Sequence, residues 1–177
     1  MKIAFLFLLV LYCVLSGSAY SQSKPSTVTS ITTGVVSDSI YRQVKAYLSS
    51  LSTGTLQDTI IIKYDFNRES CWNMLDRQTD VYIKNVILQQ QQRIQRTLMA
   101  RPGISVFSFR EAGNKINKLK KWDQTILIDQ SGNLRKWLFT KKRICGSAII
   151  LFPDGHFVYF EVDPHFEALD YKVKEIQ

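Results

Sequence analysis

The residues able to do chemistry are few. Cysteine occurs at positions 13, 71 and 145, and histidine at 156 and 165. Cys71 stands in Glu69-Ser70-Cys71-Trp72-Asn73-Met74, with no second cysteine three residues before or after it. It is a candidate lone reactive thiol, because a helix N-terminus or Arg68 beside it would favour the thiolate. It is also a candidate half-cystine or a small buried apolar group. His156, His165, Cys71 and Cys145 would be the minimum set for a closed zinc site, but none lies at a metal-ligand spacing. No metal and no other cofactor is expected. Asp129, Asp154 and Asp163 stand in turn or helix-start contexts and read as turn and cap residues rather than catalytic acids. The chain offers no P-loop, no dinucleotide fingerprint and no Ser-His-Asp constellation.

The compartment bears on what those cysteines do. Lys2 is followed by an almost unbroken apolar run, Ile3 to Leu15, and then by small residues, Ser16-Gly17-Ser18-Ala19. Charge, apolar core and small-residue site are the three parts of a secretory signal peptide. The run is roughly 13 residues, short of the ~20 that a spanning helix needs. Residues 1–21 are therefore expected to be a signal peptide, cut after Ala19 or Ser21. The bulky Tyr12 before Cys13 argues against lipidation at that cysteine.

The mature chain of about 155 residues suits one domain. No second apolar stretch is long enough to span a bilayer. Loss of Lys2 leaves 22 basic against 15 acidic residues, a net charge of +7. That charge points to an anionic neighbour, and export argues against nucleic acid. In an oxidising compartment the remaining pair, Cys71 and Cys145, is a disulfide candidate.

Residues 22–36 are rich in Ser and Thr and are expected to be a flexible lead-in to a single domain over 37–177. From Ser37 the pattern is helical: Ile40, Val44, Leu48 and Leu51 recur at three- and four-residue steps. Thr59 to Phe66 begins as a continuous β-branched run, the pattern of a strand buried on both faces. Asp80 to Met99 is the longest expected helix, with an apolar stripe at Ile83, Val86, Ile87, Ile94 and Leu98. Arg101-Pro102-Gly103 stops it. Gln89 to Gln92 reads as a solvated segment. Ile104 to Arg110 alternates and is expected to be a strand. A short basic helix is expected at Gly113 to Trp122, a strand at Thr125 to Asp129 and a helix at Leu134 to Thr140. Ser147 to Phe152 and His156 to Val162 flank Pro153-Asp154-Gly155, the signature of a hairpin. Asp163 and Pro164 open a last helix. Trp72, Trp122 and Trp137 read as core and turn-packing residues.

A strand, a helix of roughly 20 residues and a second strand make a parallel, right-handed βαβ unit. With the hairpin and closing helix, the expectation is an α/β domain: a mixed sheet with helices on both faces.

At Thr125 to Glu161 the chain resembles the thioredoxin-like fold superfamily, in its extracytoplasmic branch of peroxiredoxin-like and thiol-disulfide oxidoreductase domains. Asp129 and Gly132 match that family's Asp-x-x-Gly turn, and Asp154 and Gly155 match its hairpin turn. Cys145-Gly146-Ser147-Ala148 falls where the family has Gly-Thr-Pro. The resemblance covers about Asp58 to the C-terminus.

Three departures follow. The family's Cys-x-x-Cys is reduced to Cys71. The cis-proline position holds Ala148, and a non-proline cis bond costs ~2.5–4 kcal/mol, so a trans bond is expected there. The Thr that a peroxiredoxin carries three residues before its cysteine is replaced by Arg68. The resemblance also implies that the segment before the hairpin passes close to the loop after the first core strand. Cys71 and Cys145 would then be neighbours able to bridge.

The remaining asymmetry is basic. Lys115, Lys118 and Lys121 recur at helical spacing, and Lys141, Lys142 and Arg143 continue the cluster beyond Arg135 and Lys136. They form either a solvated face or an anion-binding face. Together these residues argue for an exported, periplasmic or extracellular domain with a degenerate exchange site. Its partner would be a protein or an anionic envelope component, bound without catalysis. The alternative is a thiol-dependent redox enzyme using Cys71 alone or a Cys71–Cys145 pair.

Overall fold

The computed structural model describes residues 31–67, 74–75, 77–113, 118–143, 146–161 and 167–171. Cys71, Cys145, Lys115, Asp163, His165 and the expected signal peptide lie outside them, and Lys118 is described in its backbone alone. In chain order the strands are β1 (Ile31–Val35), β2 (Thr59–Asp65), β3 (Ile104–Glu111), β4 (Leu127–Asp129), β5 (Ser147–Leu151) and β6 (His156–Phe160). The helices are α1 (Asp38–Leu51), α2 (Asp80–Ala100), α3 (Lys118–Trp122), α4 (Asn133–Trp137) and α5 (Glu167–Asp170).

The six strands form one mixed sheet in the order β1-β6-β5-β2-β3-β4. β2 lies in its interior. It runs parallel to β3, from Thr59 opposite Ile104 to Asp65 opposite Arg110, and antiparallel to β5, from Ile60 opposite Leu151 to Tyr64 opposite Ser147. Strands alternate their side chains, so each face of β2 feeds a different core. Ile60, Ile62 and Tyr64 join Val44 and Leu48 of α1, Leu134 of α4 and Phe139 on one face. Ile61 joins Ile104, Ile150, Phe160 and Leu169 of α5 on the other, with Ile94 and Leu98 of α2 packed alongside. The result is α/β, with helices on both faces of the sheet. Burying Val44 or Leu48 contributes about 1.5–3 kcal/mol each.

Local chemistry explains the element ends. Ser37 caps α1 by accepting from the Ile40 N–H at 3.3 Å. Thr79 caps α2 by accepting from the Tyr82 N–H at 3.2 Å. The hairpin turns at Gly155, whose φ of 82° lies in the left-handed region. Asp154 Oδ1 accepts the His156 N–H there at 3.0 Å.

Several expectations are corrected. Residues 31–35 are not part of a flexible lead-in. They form β1, antiparallel to β6 from Ile31 opposite Phe160 to Val35 opposite His156. The Ser/Thr-rich composition there reflects an exposed edge strand rather than lack of order; residues 22–30 lie outside the described set. Gln90 is not solvated: it is 5% exposed, on the face of α2 toward the sheet. β4 starts two residues later than expected, because Asp123 Oδ1 accepts both the N–H and the hydroxyl of Thr125 and closes a turn. α4 ends at Trp137 rather than Thr140. Phe139 leaves the helix to stack on Tyr64, with ring centroids 4.5 Å apart.

Asp129 locks these pieces together. It is fully buried and accepts from the Tyr64 hydroxyl at 3.1 Å, the Tyr47 hydroxyl at 3.3 Å and the Arg135 N–H at 3.0 Å. One carboxylate thus joins β4, β2, α1 and the first turn of α4. Burial, and then the Asp129 charge, hold the Tyr64 phenol well above its ordinary range. Burial likewise raises Tyr159.

A raised folded-state pKa favours the neutral phenol. Its stabilisation is therefore complete below the unfolded value of about 10 and is lost as pH climbs above it. Titration of tyrosine absorbance should show Tyr64 and Tyr159 ionising only when the fold opens, with stability to urea falling above about pH 10. Ionisation of every tyrosine near pH 10 in a still-folded protein would contradict the placement of Asp129.

Candidate functional site

The polar residues of β2 gather at its carboxyl end. Lys63 and Asp65 continue the face of Ile61, yet they are only 7% and 1% exposed. Lys63 Nζ lies 3.4 Å from Asp65 Oδ2. Arg110, 2% exposed, is the register partner of Asp65 on β3. A buried carboxylate thus sits beside one cation on its own strand and another on the neighbouring strand. Among the described residues Asp65 Oδ1 accepts no hydrogen bond.

The amino end of β5 closes over this group. A Cβ built on Gly146 would meet Asp65 Oδ1 at 2.6 Å and the Tyr64 carbonyl at 2.8 Å. Only glycine lets the backbone pass so close. Ser147 follows, fully buried opposite Tyr64.

A second, more exposed layer flanks the first. The Asn67 N–H donates to Glu111 Oε2 at 2.9 Å, and Glu111 Oε1 pairs with Arg135 at 3.3 Å. The Arg135 guanidinium lies 5.3 Å from the Phe66 ring centroid. Lys142 Nζ donates to the Asn67 carbonyl at 2.9 Å. Gly113 also abuts the Asn67 side chain. Asn67, Gly113, Lys142 and Gly146 therefore converge at one end of the sheet. Each lies within two residues of a segment outside the described residues: Asn67 before 68–73, Gly113 before 114–117, Lys142 before and Gly146 after 144–145.

The residues singled out by sequence distribute as follows. Cys71 and Cys145 fall in two of those segments, and Lys115 in the third. Ala148 is buried inside β5, opposite Lys63 on one side and Phe160 on the other. Lys121 is exposed on α3, with Nζ 5.1 Å from the Trp122 ring, which packs against Ile83 and Ile87 on the α2 side. Lys141 and Arg143 lie instead beside Ile149 and Tyr159, on the α1 side of the sheet. Arg143 is paired with Glu161 at 2.6 Å. His156 is exposed and contacts Asp154 at 2.8 Å. Among the described residues no three His, Cys, Asp or Glu side chains group as metal ligands.

The buried Lys63–Asp65–Arg110 group was not singled out from sequence. Its signal was present in Thr59–Asp65. A strand apolar enough to be buried on both faces also carries a lysine and an aspartate two positions apart. Such charges must pair with each other or with a neighbouring strand.

Breaking a buried pair costs more than replacing it, because one charge is left behind. Lys63→Met or Asp65→Leu alone should cost about 3–5 kcal/mol, and the double variant clearly less than their sum. Urea denaturation of the four proteins tests this, and strict additivity would contradict the pairing. Comparison with protein-family models, with curated proteins and with solved structures finds no match to this chain.

Proposed function

We propose that this chain is an exported, thioredoxin-like domain whose exchange site is degenerate, and that it acts by binding a partner or by a structural role in the cell envelope. The leader over residues 1–21 supports export to a periplasm or the extracellular space. The unit β2–α2–β3, parallel in its strands, and the β5–β6 hairpin followed by α5 support the thioredoxin-like reading.

The observation that carries the non-catalytic part is Ala148. At the position where the resemblance places a cis-proline, β5 continues its ladder without interruption, from Tyr64 opposite Ser147 through Lys63 opposite Ala148. A substrate strand finds no irregular backbone to pair with there. The missing second cysteine near Cys71 argues the same way.

Gly146, next to Cys145, approaches Asp65, and Lys142 donates to Asn67, four residues before Cys71; these contacts support a Cys71–Cys145 pairing. Their bond would close a loop of about 75 residues and contribute up to roughly 4–5 kcal/mol in the chain-entropy account. We assign it a structural role.

The competing reading, thiol chemistry at Cys71 alone or at the Cys71–Cys145 pair, requires an accessible thiol with a midpoint well below ~8.5. Disulfide reduction and peroxide reduction should both stay at the buffer rate in the presence of dithiothreitol. Cys71→Ser should leave those rates unchanged while lowering stability by as much as about 4 kcal/mol. Turnover that disappears with Cys71→Ser would establish the enzyme instead.

A further inference from the structure

On the α1 side of the sheet, away from the Lys63–Asp65 face, a groove of about 230 Å³ opens between the end of α4 and the outer strands. Its floor is a row across three strands. Thr32 of β1 lies opposite Tyr159 of β6, and Tyr159 lies opposite Ile149 of β5. Phe157 extends the floor. Its ring lies over Gly34, where any Cβ would meet it at 2.6 Å, so β1 yields space to it. Trp137 and Leu138 form the wall.

The mouth is charged. Glu161 is held by Arg143 at 2.6 Å, which neutralises both. Lys141 is exposed at the same mouth, and no described residue pairs with it. An apolar floor with one surplus cation complements one kind of occupant. The volume lies just below the ~300 Å³ at which small-molecule sites usually begin, so that occupant is slender.

We infer that this groove binds a small amphipathic anion, a single apolar chain or ring carrying one acidic group, with the apolar body against Tyr159, Phe157 and Ile149 and the acid at Lys141. The inference gives a ligand class to the binding role proposed above and rests on that reading for its biological use. The site itself stands on the groove.

Decanoate is the probe, titrated calorimetrically into the purified protein at low salt. It should saturate at one per chain. A cation of the same chain length, decyltrimethylammonium, should bind at least about tenfold more weakly, because it meets Lys141 instead of pairing with it. Lys141→Glu should weaken decanoate roughly tenfold and narrow the preference. Thr32→Trp places a large side chain over the floor from an exposed strand position and should abolish saturable binding, with an unchanged thermal midpoint reporting an intact fold. Absence of saturable decanoate binding, equal binding of the two amphiphiles, or full binding by the folded Thr32→Trp variant would each overturn the inference. Those outcomes leave the thiol-turnover result untouched, so the ligand and the non-catalytic reading fail separately.

Discussion

Burial of β2 on both faces and along both edges is the constraint from which the rest follows. It is hydrogen-bonded to β3 and β5, and it supplies Ile60, Ile62 and Tyr64 to one core and Ile61 to the other. Once such a strand is central, each helix has a defined place. α1 and α4 must cover one face, and α2 and α5 the other, because each carries the apolar stripe that a bare sheet would leave wet. The same constraint makes the polar tail of β2 costly. Lys63 and Asp65 are inside because the strand is inside, and their pairing with each other, beside Arg110, offsets the cost of burying them.

Much of this arrangement was legible in the residues. The β-branched run of β2, the alternation of β3, the Pro-Asp-Gly turn of the hairpin and the three- and four-residue apolar repeat of α1 each carry a local physical signal, and each feature formed where that signal lay. What was not legible depends on partners remote in sequence. Ile31–Val35 has little to bury, so composition alone reads it as a lead-in; its order comes from β6, more than a hundred residues away. Gln90 is drawn inward by its place on α2, not by its polarity. The end of α4 is set by Phe139 finding Tyr64. At the candidate site, the cysteines and basic residues were visible as types. The convergence of Asn67, Gly113, Lys142 and Gly146 was not, because it is created by three strand ends meeting at one edge of the fold.

Charge is organised rather than scattered. Asp129 is consumed by two tyrosines and a helix N–H, Glu111 by Arg135 and Asn67, Glu161 by Arg143, and Asp170 by Arg93. Among the described residues, two exposed lysines of the basic cluster lie apart. Lys121 lies beside Trp122 on the α2 side, while Lys141 stands at the groove on the α1 side.

Asn67, Lys142 and Gly146, the described residues at one end of the sheet, lead into the segments that hold Cys71 and Cys145, so the state of those two cysteines decides between a binding domain and a thiol enzyme. The most direct measurement is the intact mass, after alkylation with and without reductant, of the protein prepared from residue 22 onward, which holds only Cys71 and Cys145. A bridged pair predicts no label until reduction and two labels after it, with a reduction potential below about −300 mV. Two labels without reductant, with Cys71 reacting fast at low pH, would contradict the structural disulfide and point to a working thiol.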